Sequence, residues 1–157
     1  MRKPKTLQEA YDSCIADGFI HPIAGINGEK IISLAENAKI HCRSAEIIVK
    51  ALDSKAKEWI DVYTLYYEAL RTYAEALLLF EQVESPNHQC LFATLCLKYP
   101  QLELDWDFLE TLRTKRNGIN YYGEQITYQD WKSIEIQLKL YISTLQQEVE
   151  QHLRGIP

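Results

Sequence analysis

Apolar residues recur along most of this chain at alternating steps of four and three, the spacing of one helix face. The clearest run is Ile31, Ala35, Ala38, Cys42, Ala45, Val49 and Leu52, which predicts a helix over residues 29–54. Its middle carries small side chains, so a neighbouring helix can approach closely there. Trp59, Tyr63, Tyr66, Leu70, Tyr73, Leu77 and Phe80 repeat the same steps and predict a helix over residues 56–83. Val62, Leu65, Tyr67, Ala69, Ala74, Ala76, Leu78 and Leu79 flank that face. A helix apolar over most of its circumference belongs at the centre of a core. One polar stripe survives on it: Asp61, Thr64, Glu68, Arg71 and Glu75. Glu68 with Arg71, and Arg71 with Glu75, stand three and four apart and can pair along the helix.

Capping signals punctuate the remainder. Thr6-Leu7-Gln8-Glu9 has the form of a capping box and opens a short helix that Gly18 should stop. Residues 19–28, with Pro22, Gly25, Asn27 and Gly28, read as a loop. Ser85-Pro86 reads as the cap and first turn of a helix ending near Pro100. Asp105 caps the next, which carries Phe108, Leu109, Leu112 and Arg116, and Gly118 is placed as its left-handed terminator. Thr127-Tyr128-Gln129-Asp130 begins a long last helix with Trp131, Ile134, Leu138, Tyr141, Leu145, Val149 and His152 or Leu153 on one face. No strand alternation is evident. The expected fold is all-α: an N-terminal accessory helix and loop in residues 1–28, then an antiparallel four-helix-bundle-like domain over 29–154 with an extra short helix.

Composition narrows the class. Hydrophobic residues make up 46% and charged residues 25% of 157 positions, which excludes disordered and collagen-like chains. The net charge of −5 argues against a broadly basic nucleic-acid surface, and no DNA partner is expected. No apolar run approaches the roughly 18 residues of a membrane span. The N-terminus lacks the apolar core of a signal peptide. A cytoplasmic protein with Cys14, Cys42, Cys90 and Cys96 as reduced thiols is therefore expected. No cofactor is expected, and no His or Cys spacing fits a metal site.

The most informative segment is Leu109-Glu110-Thr111-Leu112-Arg113-Thr114-Lys115-Arg116-Asn117-Gly118-Ile119-Asn120-Tyr121-Tyr122-Gly123. Arg116 follows Leu112 by four and Leu109 by seven, which puts it on the apolar stripe. An inward charge must be paired or reach into a cleft. Glu68 or Glu75 is the expected internal partner; snorkelling at the helix end is the bland alternative.

Several features in this order resemble the HEPN domain (higher eukaryotes and prokaryotes nucleotide-binding). They are Tyr66-Tyr67 with Glu68 and Ala76-Leu77-Leu78, then Asn87-His88, Arg116-Asn117, Tyr121-Tyr122-Gly123 and the Thr127 helix. The resemblance covers roughly residues 30–152. It implies a helical fold, a common homodimer, and a partner that can be RNA, a nucleotide or a minimal nucleotidyltransferase of a toxin–antitoxin pair. Many members are metal-independent ribonucleases with an Arg-x4–6-His motif. Here the positions five to seven after Arg116 are Tyr121, Tyr122 and Gly123, and no His follows before His152. Imidazole can shuttle protons at neutral pH, whereas a phenol is a poor base. Arg116 could hold a phosphate, but the proton shuttle is missing from its expected place.

The expected reading is thus a catalytically impaired HEPN-type module binding through Arg116, Asn117, Tyr121, Tyr122, Glu68 and His88. The alternatives are a ribonuclease toxin using Arg116 with Tyr121 or His88, and a purely structural interaction bundle. Tyr121 or Tyr122 could, by resemblance, receive a nucleotidyl group. The aromatic Tyr128 and Trp131 suggest apolar surface for a dimer interface near Arg116.

Overall fold

The computed structural model describes residues 3–157; Met1 and Arg2, the start of the segment read as accessory, lie outside the described residues. Six α-helices dominate: α1 (Leu7–Ala16), α2 (Gly28–Ala51), α3 (Trp59–Phe80), α4 (His88–Lys98), α5 (Trp106–Tyr122) and α6 (Tyr128–Arg154). A single 3-10 turn, Pro100–Leu102, joins α4 to α5. The fold is all-α, as the periodicity predicts. Two residue pairs form the small ladder that the sequence did not reveal, β1 (His21–Pro22) against β2 (Val83–Glu84), antiparallel. No helix among the described residues is long and apolar enough to cross a membrane.

Local chemistry explains most helix starts. Thr6 and Glu9 form the expected capping box, Thr127 and Asp130 form its variant, and Asp105 accepts from the amides of Asp107 and Phe108. Two boundaries differ from expectation. Asn87, not Ser85, caps α4: its side chain accepts from the Cys90 amide, while the Ser85 hydroxyl accepts from the Asn87 amide. Both residues are good caps, and a local side-chain turn settled the competition. Gly118 does not end α5. The helix continues through Tyr122, and Gly123, at φ 65°, is the left-handed cap. Gly118 instead lies inside the helix, where the Glu124 side chain folds over it. Arg116 and Asn117 lie on the helix as their spacing predicts, and Tyr121 and Tyr122, expected in a short loop, are helical as well.

Helix α3 is the hub. Fourteen of its residues are buried, and it packs on α2, α4 and α6. Ala35, Ala38 and Ala45 of α2 are buried, as a close approach of two backbones requires. Tyr66 stacks on Trp131 of α6 at 4.9 Å, and Trp59 meets Tyr128 at 5.0 Å. Trp131 is 1% exposed, so the apolar surface expected there for a dimer is already used inside the chain. The antiparallel expectation holds for α2 with α3. It fails for α3 with α4: Tyr67 meets His88, and the Tyr99 hydroxyl reaches the Leu77 carbonyl, so the contacts advance together along both. The connection through β2 runs back beside the bundle before α4 begins.

Cysteine chemistry departs from the expectation of four thiols. Helix α1 packs on α4, and Cys14 and Cys90 form a disulfide with Cα atoms 5.6 Å apart. The sulfurs are 76 positions apart in the sequence, so only the packing of α1 brings them together. Cys42 and Cys96 remain thiols, and burial pushes them up to about 11 and about 12.

Gly118→Ala tests the reassigned end of α5. The three atoms nearest a Cβ there are those of the Glu124 carboxyl, the far end of a flexible exposed chain that must swing aside to admit it. The expected result is a gain of about 0.5–1 kcal/mol in urea unfolding, from helix propensity. A left-handed terminator would instead lose stability on the same substitution.

Candidate functional site

Asp61, at the start of the polar stripe of α3, is exposed, whereas Glu68, Arg71 and Glu75 are half-buried beside α4 and α5. Arg71 donates to Glu68 Oε2 through Nε at 2.9 Å and to Glu75 Oε2 through Nη1 at 2.9 Å. Both pairs follow the three-and-four spacing of one helix. Across the groove, Arg113 of α5 donates to both oxygens of Glu110, at 2.7 and 2.9 Å. Gln89 of α4 donates to the same carboxylate at 2.7 Å. All these side chains are half-buried, where charge-assisted bonds gain strength from partial exclusion of water.

Arg116 sits between the two ladders. Its Nη2 is 3.5 Å from Glu68 Oε1, the expected partner, whereas Glu75 is taken by Arg71. Its Cζ lies 5.7 Å from the centre of the Tyr67 ring, a cation–π distance. With its amide oxygen turned to the guanidinium, Asn120 accepts from Nε at 3.1 Å and from Nη1 and Nη2 at 3.2 Å. The side chain is 20% exposed. It is neither fully buried nor a surface snorkel. Its ion contact is longer than the 2.7–2.9 Å contacts of Arg71 and Arg113.

His88 belongs to the same cluster. Its Nδ1 shares a 3.0 Å hydrogen bond with the Tyr67 hydroxyl. Burial, followed by the positive charges of Arg71 and Arg116, pushes its pKa down to about 4. Burial likewise pushes the Tyr67 phenol above its ordinary value. The imidazole is neutral at pH 7 and weakly basic.

The structure thus brings together Glu68, His88 and Arg116 from three helices. It does not bring in Tyr121 or Tyr122, which are 72% and 82% exposed in the last turn of α5. Tyr121 follows Arg116 by five residues, which turns it about 140° away around the helix. Asn117 is half-buried at the next position after Arg116, but Asn120, one turn on, is the residue that faces the guanidinium. Sequence reasoning missed Asn120, Arg113, Glu110 and Gln89. The spacing of Arg116 to Asn120, and of Glu110 to Arg113, was available as a signal. Gln89 was not, because its partner lies on another helix. The chain matches no protein-family model, no curated protein and no solved structure.

The His88 environment predicts a titration. Its ring protons should shift with a midpoint near 4 in an NMR pH series, and a midpoint at 6 or above would contradict the described seat. The unfolded chain binds that proton more readily, at its ordinary pKa of about 6.5. The contribution of neutral His88 to stability is therefore present above pH 6.5. It is lost as pH falls from there toward 4, and His88→Gln should remove that part of the pH dependence.

Proposed function

We propose that the chain is a HEPN-type helical module, impaired in catalysis, that binds a phosphate-bearing ligand at the α3–α4–α5 cluster. The ligand class is a nucleotide or RNA, and a minimal nucleotidyltransferase is the protein partner that the HEPN resemblance implies. Arg116 carries the reading. Its guanidinium lies 5.7 Å from the Tyr67 ring centre and is held by one long ion contact and a neutral amide, so N–H donors can turn to a phosphate oxygen at little cost. Arg71 and Arg113 add positive potential, but each is already held by contacts of 2.7–2.9 Å to carboxylates of its own helix.

The impairment rests on His88. It is the imidazole nearest in role to the missing shuttle, yet Tyr67 occupies its Nδ1 and its pKa is far below neutrality. A ribonuclease reading survives because a bound phosphate would oppose the charges of Arg71 and Arg116 and raise that pKa. Cleavage of a labelled RNA pool by the wild type but not by His88→Ala would favour it over the binding module. A homodimer remains part of the proposal without the Trp131 surface.

Arg116→Ala decides the binding role. Glu68 keeps its 2.8 Å contact with Arg71, so the substitution strands no carboxylate. The expected stability loss is about 1 kcal/mol, not the roughly 3–5 kcal/mol of an abandoned buried charge. Affinity for a mononucleotide or short RNA should fall about tenfold or more, and wild-type affinity should fall with added salt. Unchanged affinity per folded molecule in calorimetry would refute the phosphate role.

A further inference from the structure

The N-terminal segment lies across the body as a strap fastened at three points. Near its start, the Lys5 carbonyl accepts from Trp106 Nε1 at 3.0 Å, beside the first turn of α5. In its middle, the Cys14–Cys90 disulfide joins α1 to the first turn of α4. Beyond Gly18, whose φ of 71° turns the chain, the β1–β2 ladder and the bond from the Ile23 amide to the Gln82 carbonyl anchor the far end. Residues 3–6 form one wall of a cavity of about 960 Å³. The opposite wall is α5, including Thr111, Arg113 and Lys115, and the floor reaches Gln89 and Glu110. The cavity therefore adjoins the Glu110–Arg113 end of the polar cluster.

The non-covalent hold on α1 is slight. The helix has ten residues, and only Ala10 and Cys14 in it are fully buried. Leu7 and Tyr11 are partly buried, while Ile15 is 54% exposed. A helix this short is marginal without tertiary support, and one alanine and one sulfur supply little of it. The difference from the bundle is one of degree: α1 adds Ala10 to the common core with Leu7 and Tyr11 against it, whereas α3 alone buries fourteen residues.

We propose that the Cys14–Cys90 disulfide is a redox-operated clasp: its reduction lets α1 and residues 3–6 swing out about the Gly18 turn, opening the cavity while the bundle stays folded. The reductant is a dithiol. Its thiolate attacks one cysteine sulfur, the Cys14–Cys90 bond breaks, and the other cysteine leaves as a thiolate. The reductant's second thiolate then attacks its own sulfur in the mixed disulfide, closing the reductant's internal disulfide and releasing the remaining cysteine as a thiolate, which takes up a proton. The net change is two electrons and two protons to the protein, two free cysteines and an oxidised reductant. Cys14 and Cys90 are 3% and 2% exposed, so attack requires a brief lift of α1, and reduction traps what the fluctuation opens.

Hydrogen exchange on the full chain, with no ligand, tests the clasp independently of phosphate binding. Alkylation of denatured, unreduced protein should modify two cysteines; four would overturn the proposal. Treatment with dithiothreitol should speed exchange in residues 7–16 and at the Trp106 indole N–H by about 100-fold or more, while α2, α3 and α6 change by less than about tenfold. Cys14→Ser should give the fast rates without reductant. Equal acceleration of α1 and the bundle would make the bond a global staple and overturn the clasp. No acceleration of α1 would overturn it as well. Reduced wild type carries the test even if the variant folds poorly.

Discussion

The near-complete burial of α3 is the constraint on which the rest depends. A helix with fourteen buried residues of twenty-two needs neighbours on most sides. α2 covers it with a stripe of alanines that allows close approach, α6 covers it with Trp131 and Leu138, and α4 fills the side between them and α5. The connections on either side of α3 are equal in length, seven residues each, and differ in path. Seven residues suffice to return α2 against α3 antiparallel. The segment from Glu81 to Asn87, by contrast, travels back past β1 before α4 can start.

The same burial creates the candidate site. α3 has too many apolar residues for a broad polar face, so its charges are confined to one stripe. When α4 and α5 close over that stripe, its carboxylates and Arg71 lose much of their water and must find partners. Glu68 finds two, Arg71 and Arg116. Tyr67, next in sequence, turns its ring to Arg116 and its hydroxyl to His88. Three helices thus meet at two adjacent α3 residues. The site's chemistry is set by how these groups share charge. Arg71 and Arg113 hold carboxylates at 2.7–2.9 Å, Arg116 holds its carboxylate only at 3.5 Å, and His88 is kept neutral by its surroundings.

The N-terminal segment adds a different kind of constraint. Its attachment is covalent at one point and otherwise rests on few buried side chains, Ala10 with Leu7 and Tyr11 beside it, whereas the long bundle helices bury whole faces. A covalent fastening near the first turn of α4 places a redox-sensitive bond two residues from His88. Stability is consequently uneven along the chain, with the least self-supporting helix lying beside the polar cluster.

Sequence alone determined what local chemistry dictates. The three long helices, their buried faces, the Thr6, Asp105 and Thr127 caps and the inward placement of Arg116 are all consequences of spacing within one element. The partner was legible as Glu68 or Glu75 because the polar stripe of α3 offered few acidic choices, and packing selected Glu68. What required the tertiary structure was every choice among locally equivalent options. Asn87 and Ser85 both cap well, and Gly118 and Gly123 both terminate well; the surroundings selected one of each. Contacts between elements were invisible for the same reason. Cys14 meets Cys90, His88 meets Tyr67 and Gln89 meets Glu110 only because particular helices pack together. A periodic pattern states which face is buried, but not which neighbour buries it.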